Sequence, residues 1–339
     1  MPGSPTSAAG GTDPRRPTRR LSPRRGLALA LAGVAGAALA LGLGLASAAP
    51  AVSSTGATSQ AGARRRPGTV VQVVAAENFW GSIAAQVGGI HVDVHSIITN
   101  PNTDPHSYEP TPADARSIAT AQLVIVNGVG YDPWAPELLA ADAGTSTVLT
   151  VGSLLGLKNG DNPHRWYDPA DVRRVAAAIA ADLGGIDHGD AAYFTAQARH
   201  FTTVALATEN RLIAEIRAKY AGTPVGASES IFSVLAPSLG LRLVTPGAFL
   251  KAISEGTEVS AGDKATADRQ ISHHLIKIYV YNSQNTTPDI QAQLAECKAS
   301  HVPTATITET LVPPTATYEA WQASQLRGIL AALQKAAAA

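Results

Sequence analysis

From residue 69 onward, short runs rich in Val and Ile alternate with longer segments whose apolar residues recur every three or four positions. Residues 70–75, 92–98, 123–127 and 147–151 read as strands, with helices over 78–87 and 112–121 between them. A further helix is expected over 168–183, with Pro169 in its first turn, where the missing N–H costs nothing. After Gly222 the rhythm restarts, with strands over 224–227, 242–244, 276–281 and 304–308 and helices over 231–239, 263–273, 288–301 and 317–335. Strand–helix alternation of this kind predicts an α/β fold with parallel sheets. Two such lobes are expected, at 69–188 and 222–339.

The segment 190–221 contains neither Gly nor Pro, and Gly189 and Gly222 bracket it. Its apolar residues Phe194, Ala198, Phe201, Ala205, Leu212 and Ile216 fall on one helical face. Unbroken, it would make a backbone helix about 48 Å long that ties the two lobes together over 189–221. The alternative is two helices broken near Thr202 and Thr203.

The first 68 residues follow a different pattern. A basic stretch from Arg15 to Arg25 precedes an uninterrupted apolar run from Gly26 to Leu45, and Ala46-Ser47-Ala48 has the small residues of a cleavage site. Residues 1–48 are therefore expected to be an export signal, and the Ser/Thr/Ala/Gly-rich 49–68 a flexible linker. The apolar run is also long enough to span a bilayer if it is not cleaved. Paired arginines at 19–20 and 24–25 permit a twin-arginine route. No cysteine follows the apolar run, so a lipoprotein anchor has no attachment point. The expected location is extracytoplasmic.

Composition narrows the partners. With 45% hydrophobic and 15% charged residues, the chain suits a folded protein. Its zero net charge is an average: nine Arg and one acid lie in 1–66, which leaves 17 basic and 25 acidic residues in 67–339, a formal −8. That acidic body argues against nucleic-acid binding. The single cysteine, Cys297, excludes an internal disulfide and reads as a small hydrophobe on a helix.

In open α/β sheets ligands bind beyond the carboxyl ends of the strands. Four metal- or proton-competent residues fall in such places or in rigid loops before helices: His106 in NPNTDPHSYEP, His164 in NPHRWYDP, Glu229 in ASES and Glu309 in ITETL. The two histidine loops echo each other, each with Pro before His, an aromatic residue two positions on, then an acid and another Pro. Proline restricts the backbone beside each imidazole and lowers the entropy lost on fixing it. The nearby acids are candidates to accept the second ring N–H. The other histidines read as structural: His91 and His95 along a strand, His188, His200, His273, His274 and His301 in turns or at helix positions. No G-x-S-x-G, H-E-x-x-H, Walker or G-x-G-x-x-G signature is present.

The runs AAENFWGSIAAQVGG, NPNTDPHSYEPTPAD, AQLVIVNGVGYDPW, NPHRWYDP, SEGTEVS and ITETLVPP occur in that order and together resemble the zinc/manganese-type metal-binding proteins of bacterial ABC importers. The resemblance covers 70–335. It implies two α/β lobes joined by a backbone helix, with one divalent metal, Mn or Zn, clasped between them and delivered to an ABC permease. It implies His106, His164, Glu229 and Glu309 as the metal ligands, no catalytic residues and a monomer. The chain departs from the family in lacking the lipobox cysteine and the His/Asp-rich loop of zinc-type members, since 131–161 contains no His. Two imidazoles and two carboxylates make a hard ligand set that leans towards manganese, although zinc binds such sites more tightly in the Irving–Williams order. Two rival readings remain: an exported metal-dependent hydrolase, which needs an open metal position and a base, and a surface adhesion module whose metal is structural.

Overall fold

Each lobe is built on one parallel sheet whose strands are the short Val/Ile-rich runs of the sequence. The computed structural model describes residues 70–141, 144–285 and 287–339. The expected export signal and linker, 1–48 and 49–68, lie outside the described residues. In the first sheet β1 (Val71–Glu77), β2 (Val92–Ile98), β3 (Leu123–Val126) and β4 (Thr147–Thr150) lie in the order β2-β1-β3-β4. In the second, β5 (Pro224–Ala227), β6 (Arg242–Leu243), β7 (Tyr279–Asn282) and β8 (Thr304–Ile307) repeat that order as β6-β5-β7-β8. Every pairing is parallel. The inner strand β3 is buried at all four positions, which is why it reads as an unbroken apolar run, whereas the edge strand β2 alternates. With this order the connections leave the first strand of each sheet in opposite directions. A crevice therefore opens beyond the carboxyl ends of β1 and β3 in one lobe, and of β5 and β7 in the other.

Helices of the first lobe are α1 (Asn78–Gly88), α2 (Pro112–Thr120), α3 (Trp134–Ala141), α4 (Val151–Leu155) and α5 (Pro169–Ile186). Then follow α6 (Ala191–His200) and α7 (Ala207–Tyr220), and in the second lobe α8 (Ile231–Leu239), α9 (Gly247–Ser254), α10 (Ala261–Ser272), α11 (Pro288–Ala299) and α12 (Tyr318–Ala338). The short helices α3, α4 and α9 carry no periodic stretch long enough to stand out in the sequence.

One expectation needs correction. The segment between the lobes is not a single uninterrupted α-helix but follows the alternative reading of two helices: α6 and α7 are separated by a π-helical turn at Phe201–Ala205. The break falls at the threonines. Thr202 Oγ1 donates to the Ala198 and Arg199 carbonyls at 3.0 Å each, and Thr203 Oγ1 to the Arg199 carbonyl at 2.7 Å. These hydroxyls compete for carbonyls of the helical ladder, and the Leu206 N–H reaches back five residues to Phe201 O at 3.0 Å.

The largest apolar core runs through both lobes without interruption. It includes Phe79, Trp80 and Trp166 from the first lobe, Phe232 and Phe249 from the second, and Trp321 from α12. Hydrogen bonds reinforce it: Tyr318 OH donates to Trp166 O at 2.5 Å, Tyr167 OH to Thr308 O at 2.7 Å, and Leu311 N to Asn78 Oδ1 at 3.2 Å. Cys297 is fully buried, and burial pushes its thiol up to about 12.

Candidate metal centre

His106 follows β2 on a single 3-10 turn, Pro105–Ser107. Asp104 caps that turn, accepting from His106 N at 2.9 Å and Ser107 Oγ at 3.0 Å. The ring also hydrogen-bonds the Gly130 backbone. His164 immediately precedes the 3-10 turn Arg165–Tyr167, whose Trp166 is buried and stacks on Phe79 with ring centroids 3.9 Å apart. Asn162 Oδ1 lies 2.7 Å from His164 Nδ1, which places a proton there and leaves the Nε2 lone pair free. Both Nε2 atoms are buried with no hydrogen-bond partner among the described residues. The second ring nitrogens face Gly130 and Asn162 rather than the expected acids, Glu109 and Asp168. Asp104 holds its own turn, and Asp168 caps α5 while pairing with Arg165 at 3.2 Å. Arg165 is also held by Asp171, with Nε donating at 2.7 Å.

Glu309 lies just beyond β8. Its backbone N–H donates to Gln284 Oε1 at 2.7 Å, and so does that of Thr310 at 3.1 Å, which clamps the loop. One ligand atom from each of His106, His164 and Glu309 lies within 4.8 Å of the others. Glu229, beyond β5 and 1% exposed, does not join that set but is linked to it through Asn282 at the end of β7. The Asn282 amide nitrogen is 3.1 Å from Glu229 Oε2 and 3.4 Å from Glu309 Oε1. Glu229 Oε1 is buried without a partner. Tyr131, fully buried in the loop after β3, donates its hydroxyl to Glu309 Oε2 at 3.1 Å. Cavities of about 660 and 510 Å³ flank this cluster, and His106 lines both.

The electrostatics are those of a site short of positive charge. Burial, with help from neighbouring carboxylates, pushes Glu229 up to about 7 and Glu309 up to about 8. Burial lowers both histidines, and His106 adds to the lowering of His164, while Asp104 works against the lowering of His106. Near neutral pH the imidazoles are thus neutral donors, and the carboxyls surrender protons when a cation arrives. Glu77, at the end of β1, is fully buried with neither oxygen paired, and burial followed by nearby Asp132 raises it well above the usual range.

The sequence did not single out Tyr131, Asn162, Asn282, Gln284 or Glu77. An Asn beside a strand or a Pro has the look of a turn residue, and only the order of the strands shows that 131 and 282 follow the inner ones. A second group, His91, Asp187 and Asp190, lies at the start of α6. His91 sits in a 3-10 turn rather than along β2, and its Nδ1 is 2.8 Å from Asp190 Oδ2, a tie between α6 and the turn.

Two parallel-sheet lobes with donors from both converging on a buried point define a binding-protein architecture. The family model "zinc-uptake complex component A periplasmic" (ZnuA) matches residues 73–332, and the chain belongs to that family. Among curated relatives, the manganese-binding lipoprotein MntA of Halalkalibacterium halodurans is 27% identical over 138 residues, covering 40% of this chain and 46% of the relative. The manganese ABC transporter substrate-binding lipoprotein PsaA of Streptococcus mitis is 25% identical over 151 residues, covering 40% and 48%. The chain thus spans about half the length of these curated relatives. The fold is also that of the Mn-bound S38A periplasmic metal-binding protein of Candidatus Liberibacter asiaticus, with TM-score 0.67, 20% identity, and coverage of 78% of this chain and 99% of that one.

Proposed function

We propose that this protein works outside the cytoplasm, captures one divalent transition-metal ion between its lobes and hands it to an ABC permease. His106 and His164 supply neutral imidazole nitrogens, and Glu229 and Glu309 supply carboxylate oxygens. The observation that carries this reading is the convergence of buried, unpartnered acceptors. His106 Nε2, His164 Nε2 and Glu229 Oε1 are all sealed from solvent with nothing among the described residues to bond, an arrangement that costs free energy unless a cation completes it. Because donors come from both lobes, an ion favours the arrangement in which all of them reach it. Family membership and the manganese transporters among the relatives support capture over catalysis. We read the protein as a monomer organised as signal, linker, lobe, connecting helices and lobe.

The test is stoichiometry and turnover together. Equilibrium titration with zinc and with manganese should give one ion per chain in the wild type and none in the His106→Ala/His164→Ala double variant, with no hydrolysis of ester or phosphoester substrates. Metal-dependent turnover abolished by the same variant would replace capture with the hydrolase.

A further inference from the structure

We propose that Asn282 is a positioning residue that limits each carboxylate to one oxygen for the captured ion, and so favours four-coordinate zinc over manganese. This deepens the capture reading and rests on it. Asn282 is 1% exposed and closes β7, one of the two strands that border the crevice of the second lobe. Its amide has one possible orientation. Oδ1 accepts the Gln284 N–H at 2.9 Å, and the Asn282 backbone N–H donates to Ser228 Oγ at 3.1 Å, which fixes the residue at both ends. The NH2 group therefore faces the carboxylates, with one hydrogen for Glu229 Oε2 at 3.1 Å and the other for Glu309 Oε1 at 3.4 Å.

The carboxylate oxygens can then be followed one by one. Glu309 Oε2 accepts from Tyr131 OH at 3.1 Å, and Oε1 faces Asn282. Glu229 Oε2 accepts from Asn282 at 3.1 Å. Glu229 Oε1 is left buried and unpartnered. An oxygen that accepts a fixed hydrogen bond has a lone pair committed and its charge drawn towards the donor. Chelation by both Glu229 oxygens would have to work against the Asn282 donor, whereas binding through Oε1 alone does not; at Glu309 chelation meets two donors and binding through one oxygen meets only one. Two imidazole nitrogens and two single carboxylate oxygens make four ligands, the number zinc takes in closed protein sites. Manganese(II) belongs with octahedral oxygen-rich sites, which two imidazoles and two single carboxylate oxygens do not by themselves fill. An amide suits this task better than Lys or Arg, because it orients the carboxylates without adding a cation that would compete with the cargo. The ligand types alone lean towards manganese; the donors behind them turn the site towards zinc.

Cobalt(II) reports the difference directly, since its visible bands are intense when four-coordinate and weak when six-coordinate. The full wild-type chain loaded with cobalt should show the intense bands. Asn282→Ala, with circular dichroism unchanged, should bind cobalt with weak bands, and its zinc-over-manganese affinity ratio should fall about tenfold or more. Unchanged band intensity and ratio in Asn282→Ala would overturn the proposal. The wild type tests it even if the variant does not fold: cobalt bound with weak bands would overturn the role of Asn282 while leaving capture standing. Absence of any bound cobalt, zinc or manganese would remove the capture reading and this inference together.

Discussion

Tyr131 of the first lobe donates its hydroxyl to Glu309 of the second at 3.1 Å, across 178 residues of sequence, and both side chains are buried. This bond joins the lobes at the point where an ion would sit, and its ring also packs against His106 with centroids 4.7 Å apart. Tyr131→Phe keeps the ring and removes the donor. Metal affinity should fall about 10-fold or more, and the metal-free protein should lose about 1 kcal/mol of stability. Titration calorimetry and denaturant unfolding check the two effects separately.

Metal binding should release protons. With Glu229 at about 7 and Glu309 at about 8, both carboxyls are largely protonated in the free protein at pH 6 and largely ionised at pH 9. The histidines are held low and add few protons near neutrality. Affinity should therefore rise with pH through the range 6–8 and level off above it. Calorimetry in buffers of different ionisation enthalpy should find the larger proton release at pH 6. A release that does not vary between pH 6 and 9 would refute this.

Glu209 on α7 is 3% exposed, and one of its oxygens is unpaired. Burial raises it to about 7, with Arg173 opposing and Glu319 adding to the rise. A carboxyl raised in the folded state destabilises the fold progressively as pH climbs from the unfolded value through the folded one. Glu209→Gln should match the wild type at pH 4 and be more stable by about 2–3 kcal/mol at pH 8. Melting curves at the two pH values test it, and an equal difference at both would count against the burial argument.

Trp166 sits two residues after His164, fully buried against Phe79, and its carbonyl accepts from Tyr318 of α12. Trp166→Ala should cost about 3–5 kcal/mol and loosen the His164 loop. Because the main core crosses both lobes, unfolding of wild type and variant should each be a single transition. Two separated transitions in the wild type would show that the lobes are energetically independent.

Much of this architecture is legible in the sequence for a physical reason: parallel strands buried on both faces must be apolar runs. Residues 224–227 and 231–239 could be placed from such runs and their turns alone. His106, His164, Glu229 and Glu309 stood out as candidates because they follow strand ends or sit in proline-stiffened loops, and the fold brings His106, His164 and Glu309 together. The roles of the neighbouring acids were not legible, since Asp104 and Asp168 serve equally well as helix caps and the fold uses them that way. The break between α6 and α7 was legible only as an alternative near Thr202 and Thr203. A Gly- and Pro-free stretch reads as continuous helix, and only the Thr202 and Thr203 hydroxyl bonds show why it is not. Tyr131 and Asn282 depend on strand order, which local sequence does not encode.

The central claim is that His106 and His164 help to hold one captured ion, and thermal melting of the wild type beside His106→Ala/His164→Ala, with and without zinc or manganese, tests it most directly. The account predicts a large metal-dependent rise in melting temperature for the wild type, one ion per chain by elemental analysis, and loss of both in the folded variant. A wild type that melts at the same temperature with and without either metal, or a double variant that keeps the full shift, would contradict it.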